Sequence, residues 1–393
     1  MEDKKKIGIV TLYHNSRNYG GLLQAFALVK VLDSFGVDAY QIDYAPKRNN
    51  QSSHFIKEIV KRQGLAAFLE KAGNNIIRYI YQRLTNSYYN PLLHSRKEVM
   101  DQFRQSIPHT DECDQRTINS ITRNFNAFIV GSDQVWKPTV IDYGYSLAFA
   151  DGKLTMAYAA SLSVNCIPET KISVYHNALE DIDMISVREI KAQKILVDIC
   201  DKKDIDCVCD PTMLLSRDEW LSLLRKEEIQ YGKYVFCYFL GETKSHRKAV
   251  VRYAKQHNLK IVTFPNLMGN QRLSDRKFGD VKLYGCNPLD FVSLISKAEI
   301  VFTDSFHATS FSLYMHTPFY VFTRDAVFSM NSRITCLLDK VGCNDRFVSP
   351  NESLDAKSID WILTDKVLVN EREKGLAYIQ RFVNRLNKNS MIL

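Results

Sequence analysis

Apolar runs of strand length alternate with helical stretches from the start of the chain, and that alternation favours an open sheet with helices on its faces. "IGIVTLY" gives way to the polar "HNSRNYGG", the helical "LLQAFALVKVLDSFG" and the second apolar run "VDAYQIDY", with Gly36 where a helix stop belongs. The pattern resumes in "FNAFIVGSDQVW", "LTMAYAASLS" and "DMISVREIKAQKILVDIC". Pro211 in "CDPTMLLSRDEW" breaks the rhythm and marks a crossing. A second series follows: "KYVFCYFLG", a charged helix around "KSHRKAVVRYAKQHN", "LKIVTFP", "PLDFVSLISKA", "EIVFTDS", "FHATSFSLYMH" and "PFYVF". Two series in 393 residues predict two Rossmann-like α/β domains facing each other across a cleft. The boundaries read as 1–208, the acceptor side, and 209–370, with 371–393 a helix that packs back on the first domain.

One segment interrupts the first series. Between Lys47 and Arg104 eleven lysines and arginines stand against four acids, which holds nearly all of the chain's net charge of +8. Apolar residues recur there at helical spacing (Phe55, Ile59, Phe68, Leu69, Ile76, Ile80, Leu84), so about 50–105 reads as a basic helical insertion. Such a segment suits either a solvated face over a small satellite core or contact with anionic lipid head groups. Nucleic acid is not expected as a partner, because no recognisable binding module accompanies the charge. The N-terminal apolar run spans only Ile7 to Tyr13, with no cleavage site after it, and no stretch reaches the ~18 apolar residues of a membrane span. The reading is a cytoplasmic protein, which the lipid-contact alternative would place on the inner face of the membrane. Nine scattered cysteines, with Cys207 and Cys209 the only close pair, predict free thiols and no metal site.

The strands of both series end in polar clusters, the position where open α/β sheets bind ligands. In "NYGGLLQAF" (Asn18, Tyr19, Gly20, Gly21, Gln24), a glycine pair opens a helix; it either offers N–H groups to an anion or makes only the turn. "GSDQVW" sets Ser132, Asp133, Gln134 and Trp136 after a strand. A carboxylate, an amide and an indole together suit a sugar ring, while the alternative is a helix cap and a core tryptophan. Arg188 in "SVRE" has the planar fork that grips a carboxylate or phosphate, or else pairs with a surface acid. His307 follows Asp304 and Ser305 at a strand-to-helix turn; it suits a general acid or base, and equally a structural helix start.

Taken in order, "IGIVTLY", "NYGGLLQAFAL", "GSDQVW", "SVRE", "DPTMLL", "TDSFHATSFSLYMHTPF" and "NSRI..LL" closely resemble the polysaccharide pyruvyl transferase family from about residue 6 to 345. The two-domain layout is that of the GT-B-like glycosyltransferases. The resemblance implies an enzyme that moves the carboxyethylidene group of phosphoenolpyruvate to two hydroxyls of a sugar in a surface polysaccharide precursor, with release of phosphate and no cofactor. The acceptor would be linked to a lipid pyrophosphate or to a nucleotide. The family's arginine falls on Arg188 and its histidine on His307, both credited with handling phosphoenolpyruvate. Many members carry an arginine where this chain has Ser305, so another cation must serve; Arg333, beside Asn331 and Ser332 at a helix start, is the candidate. His307 and Asp133 are then the expected catalytic residues. The competing readings are a glycosyltransferase of the same fold that uses a nucleotide sugar, and an inactive sugar-binding protein.

Overall fold

Strands form where the apolar runs lie, and every strand pair among the described residues is parallel. The structure, a computed structural model, describes residues 4–46, 80–200, 204–225, 231–267, 271–324, 332–352, 354 and 358–389. In the first half β1 (Lys6–Val10), α1 (Tyr19–Ser34) and β2 (Asp38–Gln41) are followed by a long helix, α2, over 80–105. Then come the short α3 (Ile118–Ile121), β3 (Ala127–Val130), β4 (Leu154–Ala160), α4 (Glu169–Leu179), β5 (Met184–Val187), α5 (Ile190–Cys200) and β6 (Ile205–Cys207). The crossing at Pro211 is a single 3₁₀ turn leading to α6 (Arg217–Leu223). The second half runs β7 (Tyr234–Tyr238), α7 (Lys244–Gln256), β8 (Lys260–Thr263), β9 (Val281–Lys282), α8 (Pro288–Ser296), β10 (Ile300–Thr303), α9 (Phe306–Tyr314) and β11 (Phe319–Phe322). It ends in α10 (Ser332–Val341), β12 (Phe347–Val348) and α11 (Trp361–Asn389).

The two six-stranded sheets have orders β2-β1-β3-β4-β5-β6 and β12-β11-β10-β7-β8-β9. Each order reverses direction once: the first sheet grows from β1 to β2 on one side and to β3 on the other, and the second from β7 to β8 and to β10. Crevices therefore open at the carboxyl ends of β1 and β3 and of β7 and β10, where a doubly wound sheet has room for a ligand.

The insertion read from the sequence as about 50–105 contains α2; residues 50–79 lie outside the described residues. The C-terminal helix begins at Trp361, ten residues before the expected 371, because "WILTDKVLVN" continues the helical pattern. It returns across the first sheet, where Tyr378 donates to the Ala157 carbonyl of β4 and Arg381 pairs with Asp206 of β6 at 2.7 Å. Gly375 permits the approach, since a Cβ there would lie 2.7 Å from both Leu214 Cδ2 and Tyr158 Oη. No described helix is long and apolar enough to cross a membrane.

Candidate active site

Both crevices open into one cleft of about 300 Å³, lined by Leu12 and Asn18 after β1, Asp133 and Gln134 after β3, Leu240 after β7, and Asp304 to His307 after β10, with Arg324, Arg333 and Ile334 closing it. The loops are tied together locally. Asp304, in effect, is consumed by the fold: its two carboxylate oxygens accept the Leu240 and Gly241 N–H groups, each at 2.7 Å. Thr303 Oγ1 accepts the Ser305 N–H, setting the turn from which α9 starts. Every residue of α9 from Phe306 to Tyr314 is buried, so His307 is held on a helix that cannot rotate toward water.

His307 is 4% exposed, and its Nε2 has no hydrogen-bond partner; the nearest carboxylate is Asp210 Oδ2 at 3.7 Å. Its ring lies against the first turn of α1, and this explains Gly20. A Cβ at Gly20 would sit 2.0 Å from His307 Nδ1, so only glycine admits the histidine. The glycine pair thus serves close approach, and the Gly20 N–H is already taken by the capping oxygen of Asn18 at 3.1 Å.

Behind His307 lies a charged cluster. Asp210 is fully buried and accepts from Arg188 Nη1 and from Ser132 Oγ at 3.2 Å, while its other oxygen takes the Thr212 N–H at 3.0 Å and hydroxyl at 2.7 Å. Burial alone would raise its pKa, but the Arg188 charge, His307 and the Thr212 N–H outweigh this and hold it below the usual carboxylate range. Burial works in the same sense on Glu189, beside Arg188, and there it prevails, pushing that carboxyl up. Arg188 also approaches Asp133 Oδ1 at 3.6 Å, and Arg333 reaches the same oxygen at 3.4 Å. The ring of Phe306 lies between the two guanidinium groups, 4.8 Å from Arg188 and 5.9 Å from Arg333. Burial, together with the Arg188 charge, presses Arg333 down to about 10, still cationic at neutral pH. Arg188 Nε and Nη2 and Arg333 Nε are buried donors with no hydrogen-bond partner, and His307 Nε2 is a buried ring nitrogen equally without one. A further cation, Lys137, is pressed downward by burial and by the charges of Arg324 and Arg333.

The sequence-derived candidates divide accordingly. Asn18, Asp133, Gln134, Ser305, His307 and Arg333 line the cleft. Arg188 sits behind Phe306, facing a cavity of about 20 Å³, and does not line the cleft itself. Ser332 begins α10, and Asn331 lies outside the described residues. Four residues assigned to the acceptor are internal instead. Tyr19 is buried and donates to the Cys286 carbonyl at 3.0 Å; Gln24 bonds Thr11, Gly21 and the Ser132 N–H. Ser132 bridges the Ala159 carbonyl and Asp210, and Trp136 is fully buried with its indole N–H on the Tyr145 carbonyl at 2.9 Å. Gly21 stands in the first turn of α1, beside Asn18 and Ser16. Asp210, Phe306 and Arg324 were missed. Asp210 reads in the sequence as the cap of a Pro turn, which it also is, and Arg324, two residues past β11, carries the same strand-end signal that drew attention to Arg188.

A family model described as polysaccharide pyruvyl transferase matches residues 18–326. No curated protein matches the chain. Among solved structures, the S. aureus MnaA-UDP co-structure aligns with a TM-score of 0.51 at 11% identity, over 100% of this chain and 98% of that one. The UDP-GlcNAc 2-epimerase of Methanocaldococcus jannaschii gives a TM-score of 0.49 at 10% identity, over 93% and 92%. At 11% identity the likeness to the first of these is one of fold: two Rossmann-like domains facing each other in the GT-B-like arrangement. The family match runs from the cap of α1 past His307 and Arg324, taking in Arg188 and Asp210 and stopping short of Arg333. By that match over most of its length, the chain belongs to the polysaccharide pyruvyl transferase family.

Proposed function

We propose that the protein transfers the carboxyethylidene group of phosphoenolpyruvate to two hydroxyls of a sugar, forming a pyruvate ketal and releasing phosphate. The observation that carries this reading is the pair of buried, unpartnered nitrogens on Arg333 and His307 at one end of the cleft, with the Arg188 charge behind them across Phe306. A buried guanidinium donor left unsatisfied is costly, and a small anionic ligand with a carboxylate and a phosphate would satisfy it while placing an acceptor beside His307. Arg333 and the start of α10 hold the phosphate, and Arg324 adds charge at the rim where the family's arginine is replaced by Ser305.

His307 gives a proton to the methylene carbon of phosphoenolpyruvate. This leaves an oxocarbenium-like C2 that a sugar hydroxyl attacks; the C2–O bond to phosphate then breaks, and the second hydroxyl closes the ketal. Of the two hydroxyl protons, one replaces the proton that His307 gave to the new methyl group and the other leaves with the phosphate, so no redox partner or cofactor is needed. Asp133, with Oδ1 facing both arginines, keeps its second oxygen for an acceptor hydroxyl, and Asn18 and Gln134 face the acceptor. The acceptor is a sugar carried on a lipid pyrophosphate or a nucleotide.

The test is incubation with phosphoenolpyruvate and a panel of lipid-pyrophosphate-linked and nucleotide-linked sugars, read by phosphate release and by the mass gain of one carboxyethylidene group, pyruvate less water, on the acceptor. Glycosyl transfer from a nucleotide sugar, with no reaction of phosphoenolpyruvate, would overturn the reading. In the active pair, His307→Gln should lower kcat by about 10² to 10⁴ with an unchanged melting temperature. A folded His307→Gln enzyme that keeps more than about a third of wild-type kcat would remove the histidine from the chemistry.

A further inference from the structure

Helix α2 has one face that the rest of the described molecule leaves uncovered. Ile80, Leu84 and Tyr88 are 52%, 77% and 66% exposed. Spaced four residues apart, they form one stripe, and at 3.6 residues per turn that stripe continues through Pro91 and His94. The opposite side of the helix is fixed: Arg96 is 2% exposed among main-chain carbonyls of the second domain, Thr85 bonds Gln271 at 2.6 Å, and Met100 is fully buried. The stripe is therefore not the side of α2 that packs on the described part of the fold.

The surroundings of the stripe are cationic. Arg83 and Lys97 are exposed on the same helix, and Arg17 faces it from the loop after β1. In the sequence, the segment 47–79 that precedes α2 has seven lysines and arginines against two acids; it lies outside the described residues and the surface argued below does not include it. Of the acids on the described helix, Glu98 is matched by His94 at 3.2 Å and Asp101 lies 3.9 Å from Arg104. Beyond the stripe, the same helix face borders an open groove of about 600 Å³ lined by Arg17, Ser87, Asn90, Pro91, Leu93, His94 and Lys97. Arg17 borders this groove and its neighbour Asn18 lines the active-site cleft, so stripe, groove and cleft follow one another.

We propose that the first turns of α2 are a docking surface for an anionic bilayer. Ile80, Leu84 and Tyr88 enter the interfacial region and the flanking lysines and arginines meet anionic head groups. Exposed aliphatic and aromatic side chains on one face of a cationic helix match that boundary chemically, with tyrosine suited to head-group depth. Each engaged basic residue strengthens partitioning about fivefold, and salt weakens it within a Debye length. Docked this way, the groove opens at head-group level beside the cleft. The inference stands on the surface alone and does not depend on which donor the enzyme uses.

Flotation of the full-length protein with vesicles decides it. Wild type should float with phosphatidylcholine vesicles containing about a third phosphatidylglycerol at low salt, and should be lost from pure phosphatidylcholine vesicles and at 0.5 M salt. A Leu84→Glu/Tyr88→Glu double substitution, on exposed positions that leave the fold intact by circular dichroism, should reduce bound protein at least tenfold. Absence of wild-type flotation with the anionic vesicles overturns the proposal. So does salt-sensitive binding that the double substitution leaves unchanged, which would place the contact in the charges of 47–79 alone. Loss of a dimer in sedimentation on the same substitution, without loss of flotation, would assign the stripe to a second copy of the chain and equally refute bilayer docking.

Discussion

The position of one methyl group decides whether His307 can stand where it does. At Gly20 an added Cβ would lie 2.0 to 2.6 Å from three atoms of the histidine, whereas at Gly21 it would meet Asn18 Cβ at 3.3 Å and Ser16 Oγ at 3.4 Å. Gly20→Ala must therefore push the histidine or the helix aside, a cost of about 1–3 kcal/mol for overpacking, while Gly21→Ala asks a small shift of a flexible neighbour. The expected outcome is a Gly20→Ala protein with a lower melting temperature and with turnover reduced at least tenfold in the fraction that stays folded. Gly21→Ala should keep both near wild type. Equal and mild behaviour of the two variants would show that His307 is not held against α1. The charged cluster makes the same point about position. Asp210 stays ionised because Arg188 stands beside it, and Arg188 is tolerated inside the molecule because Asp210, Asp133 and the face of Phe306 surround it. Neither residue is a spare charge that a substitution could remove cleanly.

At the scale of elements, α2 joins the two domains. Arg96 donates to the carbonyls of Pro265 at 2.7 Å, Asn266 at 3.0 Å, Leu283 at 3.0 Å and Tyr284 at 3.3 Å, all in the second domain, from a helix inserted in the first. Charged hydrogen bonds to buried groups are worth about 1.5–3 kcal/mol each in favourable cases, and removing the donor strands the acceptors. Arg96→Leu should therefore destabilise by about 3 kcal/mol or more in thermal or denaturant unfolding, and Arg96→Lys should recover only part, since an ammonium has no planar fork. A loss below about 1 kcal/mol would mean the four carbonyls find water instead. This clamp was hidden in the sequence for a physical reason. Arg96 is one of eleven basic residues in its segment, and its partners are main-chain carbonyls, which every residue carries. By contrast, the strand-to-helix turns after β1 and β10 and the polar end of β3 were legible, because apolar runs and polar strand ends are side-chain patterns. Trp136 shows the limit between the two cases. An indole after a strand suits a sugar or a core equally in sequence, and only the Tyr145 carbonyl, waiting 2.9 Å from its N–H, decides for the core.

In the whole molecule the two sheets share one apolar cluster between them, beside a separate core in each half. A continuous cluster runs from Ile7 and Ile9 of β1 through α1 to Phe236, Phe264 and Phe291 of the second domain, and on to Tyr378, Ile379 and Phe382 of α11. Tyr19 is the point of contact, with its ring centroid 4.9 Å from Phe264 and 5.6 Å from Phe291 and its hydroxyl on Cys286. Domains that meet only through a polar hinge melt separately, whereas a common core makes the exposure of either half costly to the other. Heat unfolding followed by calorimetry should accordingly give one transition, with the van't Hoff enthalpy close to the calorimetric one. Tyr19→Ala removes a buried ring and leaves the Cys286 carbonyl without its donor, so it should lower stability by about 3–5 kcal/mol and broaden or split that transition. Phosphoenolpyruvate, the donor proposed above, should at about 100 times its dissociation constant raise the single wild-type transition as a whole, by about 2.7 kcal/mol of added stability, because the cleft is lined from both sheets. Two resolved transitions in the wild-type protein, only one of them moved by the ligand, would show that the cleft belongs energetically to one domain and that the shared core does not couple them.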